Sequence, residues 1–193
     1  VAVENSLYTL AYWKKGPEVT EQRIDGTHVY EGRILKVRVD RVRLDNGRET
    51  TREVVEHPGA VAILPILNDG SMLLIRQYRY AIGRELLEVP AGTREPGEPA
   101  EVTARRELEE ETGKRAGRIE LLTRFYISPG WCNEQIVIYR AHDLVDTETN
   151  LDDDEVIDLV RVTPEEVPGL VASGEIADGK TITALMYHLK NGL

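Results

Sequence analysis

Glu107, Glu109, Glu110 and Glu111 stand almost side by side in GTREPGEPAEVTARRELEEETGK, residues 92–114. Gly92, Pro96 and Gly97 form a turn ahead of them, and Pro99 to about Thr112 reads as a helix that Gly113 ends. Helical side chains three and four apart share a face, so Glu107, Glu110 and Glu111 point roughly one way. Glu109 sits about 100° from each neighbour and can face water. Val102, Ala104 and Leu108 lie elsewhere on the helix and can pack inward. Like charges at the carboxyl end of a helix add to an already negative dipole. Two arrangements answer that cost. One is a solvated acidic face; the other is a set of hard oxygen donors for Mg²⁺ or Mn²⁺.

The elements that must position these carboxylates come from the rest of the chain. Its 193 residues, 41% hydrophobic and 30% charged, suit one ordinary soluble domain with a small extension. Residues 1–20 read as an arm, and the opening VAVENSLYTL lacks the basic flank of a secretory leader. Residues 28–57 read as strands around the hairpin turn Asp45-Asn46-Gly47, closed by the break Pro58-Gly59. AVAILPIL at 60–67, apolar throughout, predicts a strand buried on both faces and paired in a hairpin with SMLLIRQYRY. Strands follow at 86–90, 118–128, 134–144 and after the acidic stretch DDDE. Thr163-Pro-Glu-Glu166 predicts a capped helix that Pro168 should disturb, and residues 179–191 a terminal amphipathic helix. The expected fold class is α/β (α+β), a layered domain with a small antiparallel sheet before it.

A net charge of −10 argues against general binding to nucleic acid, and no run is long enough to span a bilayer. The single cysteine, Cys132, excludes an internal disulfide and suits a reducing, cytoplasmic setting. It reads as a bystander, and His28, His57, His142 and His188 show no ligand spacing.

Gly92, five residues, Glu98, seven residues, Arg106-Glu107-Leu108, one residue, Glu110-Glu111, one residue, Gly113 resembles the Nudix box. Lys114 departs from the aliphatic residue usual after the last glycine. The resemblance implies an α/β/α sandwich with a mixed sheet and a metal-dependent phosphoanhydride hydrolase. It implies Glu107 and Glu111 as metal ligands, with Glu110 as a further ligand or an orienter of water and the Ala91 carbonyl as another donor. Glu98 would support the metal shell, and Arg106 would pair with a box carboxylate to hold the loop on the helix.

Residues 30–65, RQYRYAIGRELLEVPAG, SPG at 128–130, DDDEVIDL and SGEIADGKT resemble the ADP-ribose pyrophosphatase branch. That resemblance implies domains 1–57, an arm and sheet swapped across a homodimer, and 58–193, the catalytic domain. It implies hydrolysis of ADP-ribose or a related ADP-sugar to AMP and a sugar phosphate, with GDP-mannose or another nucleotide sugar as the alternative substrate. A non-catalytic nucleotide sensor is the further alternative. Arg52 and Arg79 would bind diphosphate or terminal ribose, with Arg76 and Arg84 as weaker choices; surface ion pairs are the competing account. Tyr30, or Trp13 of the arm, would stack on adenine. Pro129, sixteen residues after Gly113, would shape the substrate side; a simple turn proline competes. Glu155 would be the general base on a mobile loop, with Asp153 and Asp154 in reserve and a solvated loop as the competing reading.

Overall fold

A computed structural model describes residues 21–150 and 156–191. Two compact units divide between Val55 and Glu56, ahead of the Pro58-Gly59 break. In the first, β1 (Glu21–Glu31), β2 (Lys36–Leu44) and β3 (Glu49–Glu56) form a sheet in that order. The stretch before the Asp45-Asn46-Gly47 turn, expected to be strand from residue 28, starts at Glu21 and is two strands, split where the Gly32 N–H bonds the Leu35 carbonyl. The turn at Asp45-Asn46-Gly47 is present, with Gly47 at φ 80°. Asp40 is buried and accepts bonds from Arg23 at 2.9 Å and Arg38 at 2.8 Å. A Cβ at Gly26 would lie 2.0 Å from its carboxylate oxygen, so the glycine leaves room for that side chain over the strand.

The second unit is built on β4 (Ala60–Pro65). With β7 (Ala91–Thr93), β8 (Lys114–Tyr126) and β9 (Gln135–Asp146) it forms a mixed sheet of order β7-β4-β9-β8, in which β4 and β9 run parallel. Beside it stands an antiparallel sheet of order β10-β5-β6, from β5 (Met72–Arg79), β6 (Arg84–Glu88) and β10 (Ile157–Val162). The expected hairpin of β4 with β5 is thus corrected. The Asn68-Asp69-Gly70 turn forms, with the Leu67 N–H on the Ser71 carbonyl and a bridge from Ile66 to Met72, and the strands then part into different sheets.

Strand β4 explains its apolar run by feeding two cores. Val61 and Ile63 pack with Ala104 and Leu108 of α1 (Ala100–Thr112). Ala62 and Leu64 pack with Met72, Leu74, Leu87, Ile136, Ile138 and Val162. Val167 of α2 (Val167–Ser173) and Ala184 and Leu185 of α3 (Gly179–Asn191) complete that second core. Truncating fully buried Leu108 to alanine would cost about 2–5 kcal/mol. Val102, expected inside, is 51% exposed instead. The inward stripe of α1 is Thr103, Ala104, Leu108, Glu111 and Thr112, so polar groups take positions that an apolar reading misassigned.

The remaining helix expectations differ in one detail. The Thr163 N–H and hydroxyl both bond Glu166, yet Glu166 is itself the N-cap and α2 begins after it. Pro168 therefore falls in the first turn, where no N–H is required, and does not disturb the helix. No helix of the described residues is long and apolar enough to cross a membrane.

Candidate active site

Helix α1 enters on the Pro99 carbonyl, which accepts the N–H groups of Val102 and Thr103. It stops at Gly113, φ 61°, whose N–H bonds the Glu109 carbonyl. The last turn carries no basic residue, so Glu109, Glu110 and Glu111 sit against the negative end of the dipole. Two features lock this acidic end to β7. Glu111, 3% exposed, accepts the Ala91 N–H at 2.9 Å. At Gly92, a Cβ would lie 2.0 Å from the Glu107 carboxyl carbon, so the glycine is the seat of that carboxylate. Ala91 and Gly92 are themselves fixed by pairing with Ala62 and Val61 of β4.

Arg106 gathers the rest. Its guanidinium lies 2.8 Å from Glu107, 2.8 Å from Glu110 and 3.6 Å from Glu98. Burial opposes its charge, but Glu107 and Glu110 outweigh that and hold its pKa above the ordinary arginine value. Glu98 is bound by the Thr103 hydroxyl at 2.8 Å, which, with help from Arg106, draws its carboxyl below the usual range. Arg94 donates to the Glu98 carbonyl at 2.8 Å. The sequence motif is thus one object in space: loop residues Ala91, Gly92 and Glu98 against helix residues Arg106, Glu107, Glu110 and Glu111, with Gly113 as terminator.

The carboxylates do not meet at one point. Glu107 and Glu110 turn to Arg106, Glu111 to Ala91, and no three His, Cys, Asp or Glu side chains among the described residues are grouped to hold an ion. The donor set still suits a hard divalent cation, being carboxylate oxygens in excess over positive charge. The Nε atoms of Arg94 and Arg106 are both buried without a hydrogen-bond partner among the described residues; as donors they call for an acceptor oxygen and not for a cation.

Arg79, at the end of β5, binds Glu88 through Nε at 2.9 Å and Nη2 at 2.8 Å. The Glu88 bond is the first cause holding the Arg79 pKa above its ordinary value, with burial opposing and Glu111 and Asp178 adding to the rise. Arg76 pairs with Glu175 at 3.0 Å, and Arg84 donates to the Gly174 carbonyl. Arg52, in the first unit, forms a two-point pair with Glu21 at 2.6 and 3.0 Å. Tyr30, 57% exposed, borders a hollow of about 300 Å³ with Gly32, Arg33, Ile34 and Leu35. Pro129 is exposed in a turn closed by bonds from the Trp131 and Cys132 N–H groups to the Ser128 carbonyl. Trp13, Asp153, Asp154 and Glu155 lie outside the described residues.

Sequence reasoning missed Glu88, Lys180, Asp178 and Thr181, which join Arg79 in one polar network. Half of the signal was available: a charge inside the apolar strand LLEVP demands a partner, but nothing local points to DGKT at 178–181 as its source.

Comparison with known proteins follows the same division of the chain. The profile of the NUDIX domain matches residues 56–185, and that of the nucleoside diphosphate sugar hydrolase N-terminal domain matches residues 21–55. A protein named ADP-ribose pyrophosphatase from Bacillus subtilis (strain 168) is 39% identical, covering 90% of this chain and 95% of its own. A protein named methanol dehydrogenase activator from Bacillus methanolicus is 41% identical over 86% of this chain and 91% of its own. One named GDP-mannose pyrophosphatase from Yersinia enterocolitica serotype O:8 is 37% identical over 77% and 84%. A crystal structure described as an ADP compounds hydrolase shares the fold, with a TM-score of 0.80 at 24% identity over 89% of this chain and 94% of that one.

Proposed function

This chain belongs to the NUDIX hydrolase family, and we propose that it splits the diphosphate of ADP-ribose or a related ADP-sugar into AMP and a sugar phosphate. The observation that carries the reading is the likeness, along nearly the whole chain, to the Bacillus subtilis ADP-ribose pyrophosphatase. The site geometry supports it: an excess of carboxylates is seated against β7, with Arg79 held by Glu88, three residues ahead of Ala91.

Bound Mg²⁺ or Mn²⁺ supplies neutralisation of the diphosphate oxygens and a more acidic water. Glu107, Glu111 and the Ala91 carbonyl would hold it, with Glu110 as a further ligand or an orienter of water. Gly92 keeps the strand clear for Glu107, while Glu98, Arg106 and Gly113 fix the loop and helix that carry the donors. Arg79 and Arg52 bind diphosphate or terminal ribose, Tyr30 stacks on adenine, and Pro129 shapes the turn on the substrate side. Glu155, with Asp153 or Asp154 as substitutes, takes the proton of the attacking water. The working form is a cytoplasmic homodimer whose amino-terminal sheet is swapped, with no nucleic-acid or membrane partner.

A second reading, hydrolysis of GDP-mannose, is favoured by the Yersinia enterocolitica relative. A panel of nucleotide sugars with phosphate-coupled detection, run with Mg²⁺, Mn²⁺ and chelator, decides between them. ADP-ribose turning over fastest, and only with metal, is the expected result. Faster turnover of GDP-mannose would replace the substrate assignment, and undiminished activity in chelator would remove the metal.

A further inference from the structure

The polar network around Glu88 closes on itself. Glu88, 1% exposed, takes Arg79 on both oxygens and Lys180 on one. Lys180 also reaches Asp178 at 2.9 Å. Asp178 accepts the Thr181 N–H at 3.0 Å and its hydroxyl at 2.6 Å, and that hydroxyl accepts the Val89 N–H at 2.9 Å. Val89 follows Glu88, so the ring returns to the strand where it began. Two residues on, the Ala91 N–H holds Glu111. A short stretch of chain therefore carries both the ring and the acidic site.

Glu88 occupies Nε and Nη2 of Arg79, which orients the guanidinium plane and leaves Nη1 outside the pair. A buried carboxylate with one cationic partner would be left uncompensated whenever that partner engaged another anion. Lys180 removes that obstacle, because it keeps Glu88 compensated. Burial pushes the Glu88 carboxyl up, but Arg79 and Lys180 outweigh it and hold the group below the ordinary glutamate range.

We infer that Glu88 and Lys180 are positioning residues: they set Arg79 so that Nη1 meets the substrate diphosphate, and Lys180 acts only through Glu88 and Arg79. This rests on the hydrolase reading above, and in particular on Arg79 as a diphosphate contact. Partners within one ion-pair network couple by about 2- to 100-fold.

The test is a double-mutant cycle using whichever nucleotide sugar the wild type turns over fastest. A different preferred sugar would thus overturn the substrate assignment and leave the cycle intact. Glu88→Gln is expected to raise KM about tenfold and Lys180→Met about fivefold, with kcat falling less than about twofold. Both KM effects should vanish in an Arg79→Ala background, since the residue they act through is gone. Lys180→Met keeps the test available if Glu88→Gln does not fold. A KM effect of Lys180→Met that persists undiminished in the Arg79→Ala background would show direct substrate contact and overturn the proposal. So would an unchanged KM in the single variants, or a fall confined to kcat.

Discussion

The acidic end of α1 and the ring around Glu88 are both clusters of charge, and their balance differs. In the first, Glu98, Glu107 and Glu110 share one arginine, with Glu111 turned to a backbone N–H. In the second, Glu88 and Asp178 face Arg79 and Lys180, two against two. A balanced ring is complete as folded. An unbalanced one holds together under residual repulsion and gains energy from any cation that joins it. The contrast separates a ring that fixes the plane of one arginine from a cluster whose charge a cation can still join.

The largest expected break of that contrast is Glu107→Gln. On the unbalanced side the loss of one preorganised charge should lower kcat on the order of 10²- to 10³-fold. The unfolding midpoint should move little, since carboxylates remain for Arg106. Steady-state kinetics beside thermal melts checks both halves. Glu88→Ala should show the reverse emphasis. It strands Lys180 and Arg79 without their shared carboxylate, costing about 3 kcal/mol, the lower end for a buried pair because Arg79 reaches solvent. Urea unfolding reads that value directly.

Gly92→Ala comes next. The added methyl must displace the Glu107 carboxylate, and activity should fall about 10–100-fold, the range for disturbing a ligand's support. Wild-type activity in that variant would mean Glu107 does not work from this seat. The pH dependence of stability is smaller. Glu88 is depressed when folded, so its contribution is fully present above the ordinary value of 4.5 and lost as pH falls through the lower folded value. Urea midpoints should drop across that acidic window in the wild type and drop less in Glu88→Gln. Val102→Ala, at an exposed position, should change stability by less than about 0.5 kcal/mol. A larger loss would return Val102 to the core that the sequence alone suggested.

What the sequence made legible follows from the range of each signal. The helix bounds at Pro99 and Gly113 are local chemistry, and so is the doubly buried β4. The motif spacing placed loop and helix residues together because a single turn joins them. The parting of β4 and β5 was illegible, because hairpin signals report the turn and not which sheet each arm enters. The resemblance implied that Arg106 pairs with a box carboxylate, but not that both Glu107 and Glu110 turn to it, since periodicity assigns a face and not a rotamer. Lys180 meets Glu88 across 92 residues of sequence, a distance at which no local pattern speaks.

Strand β4 leaves the molecule with one hinge of failure in place of two. The helix bearing the glutamates leans on Val61 and Ile63, and the helix bearing Lys180 draws its support from the side of Ala62 and Leu64. Fraying that strand would unseat both at once. Its amides should therefore exchange with deuterium at a single slow rate, shared by residues of opposite orientation, and that rate would be the clock for loss of the whole site.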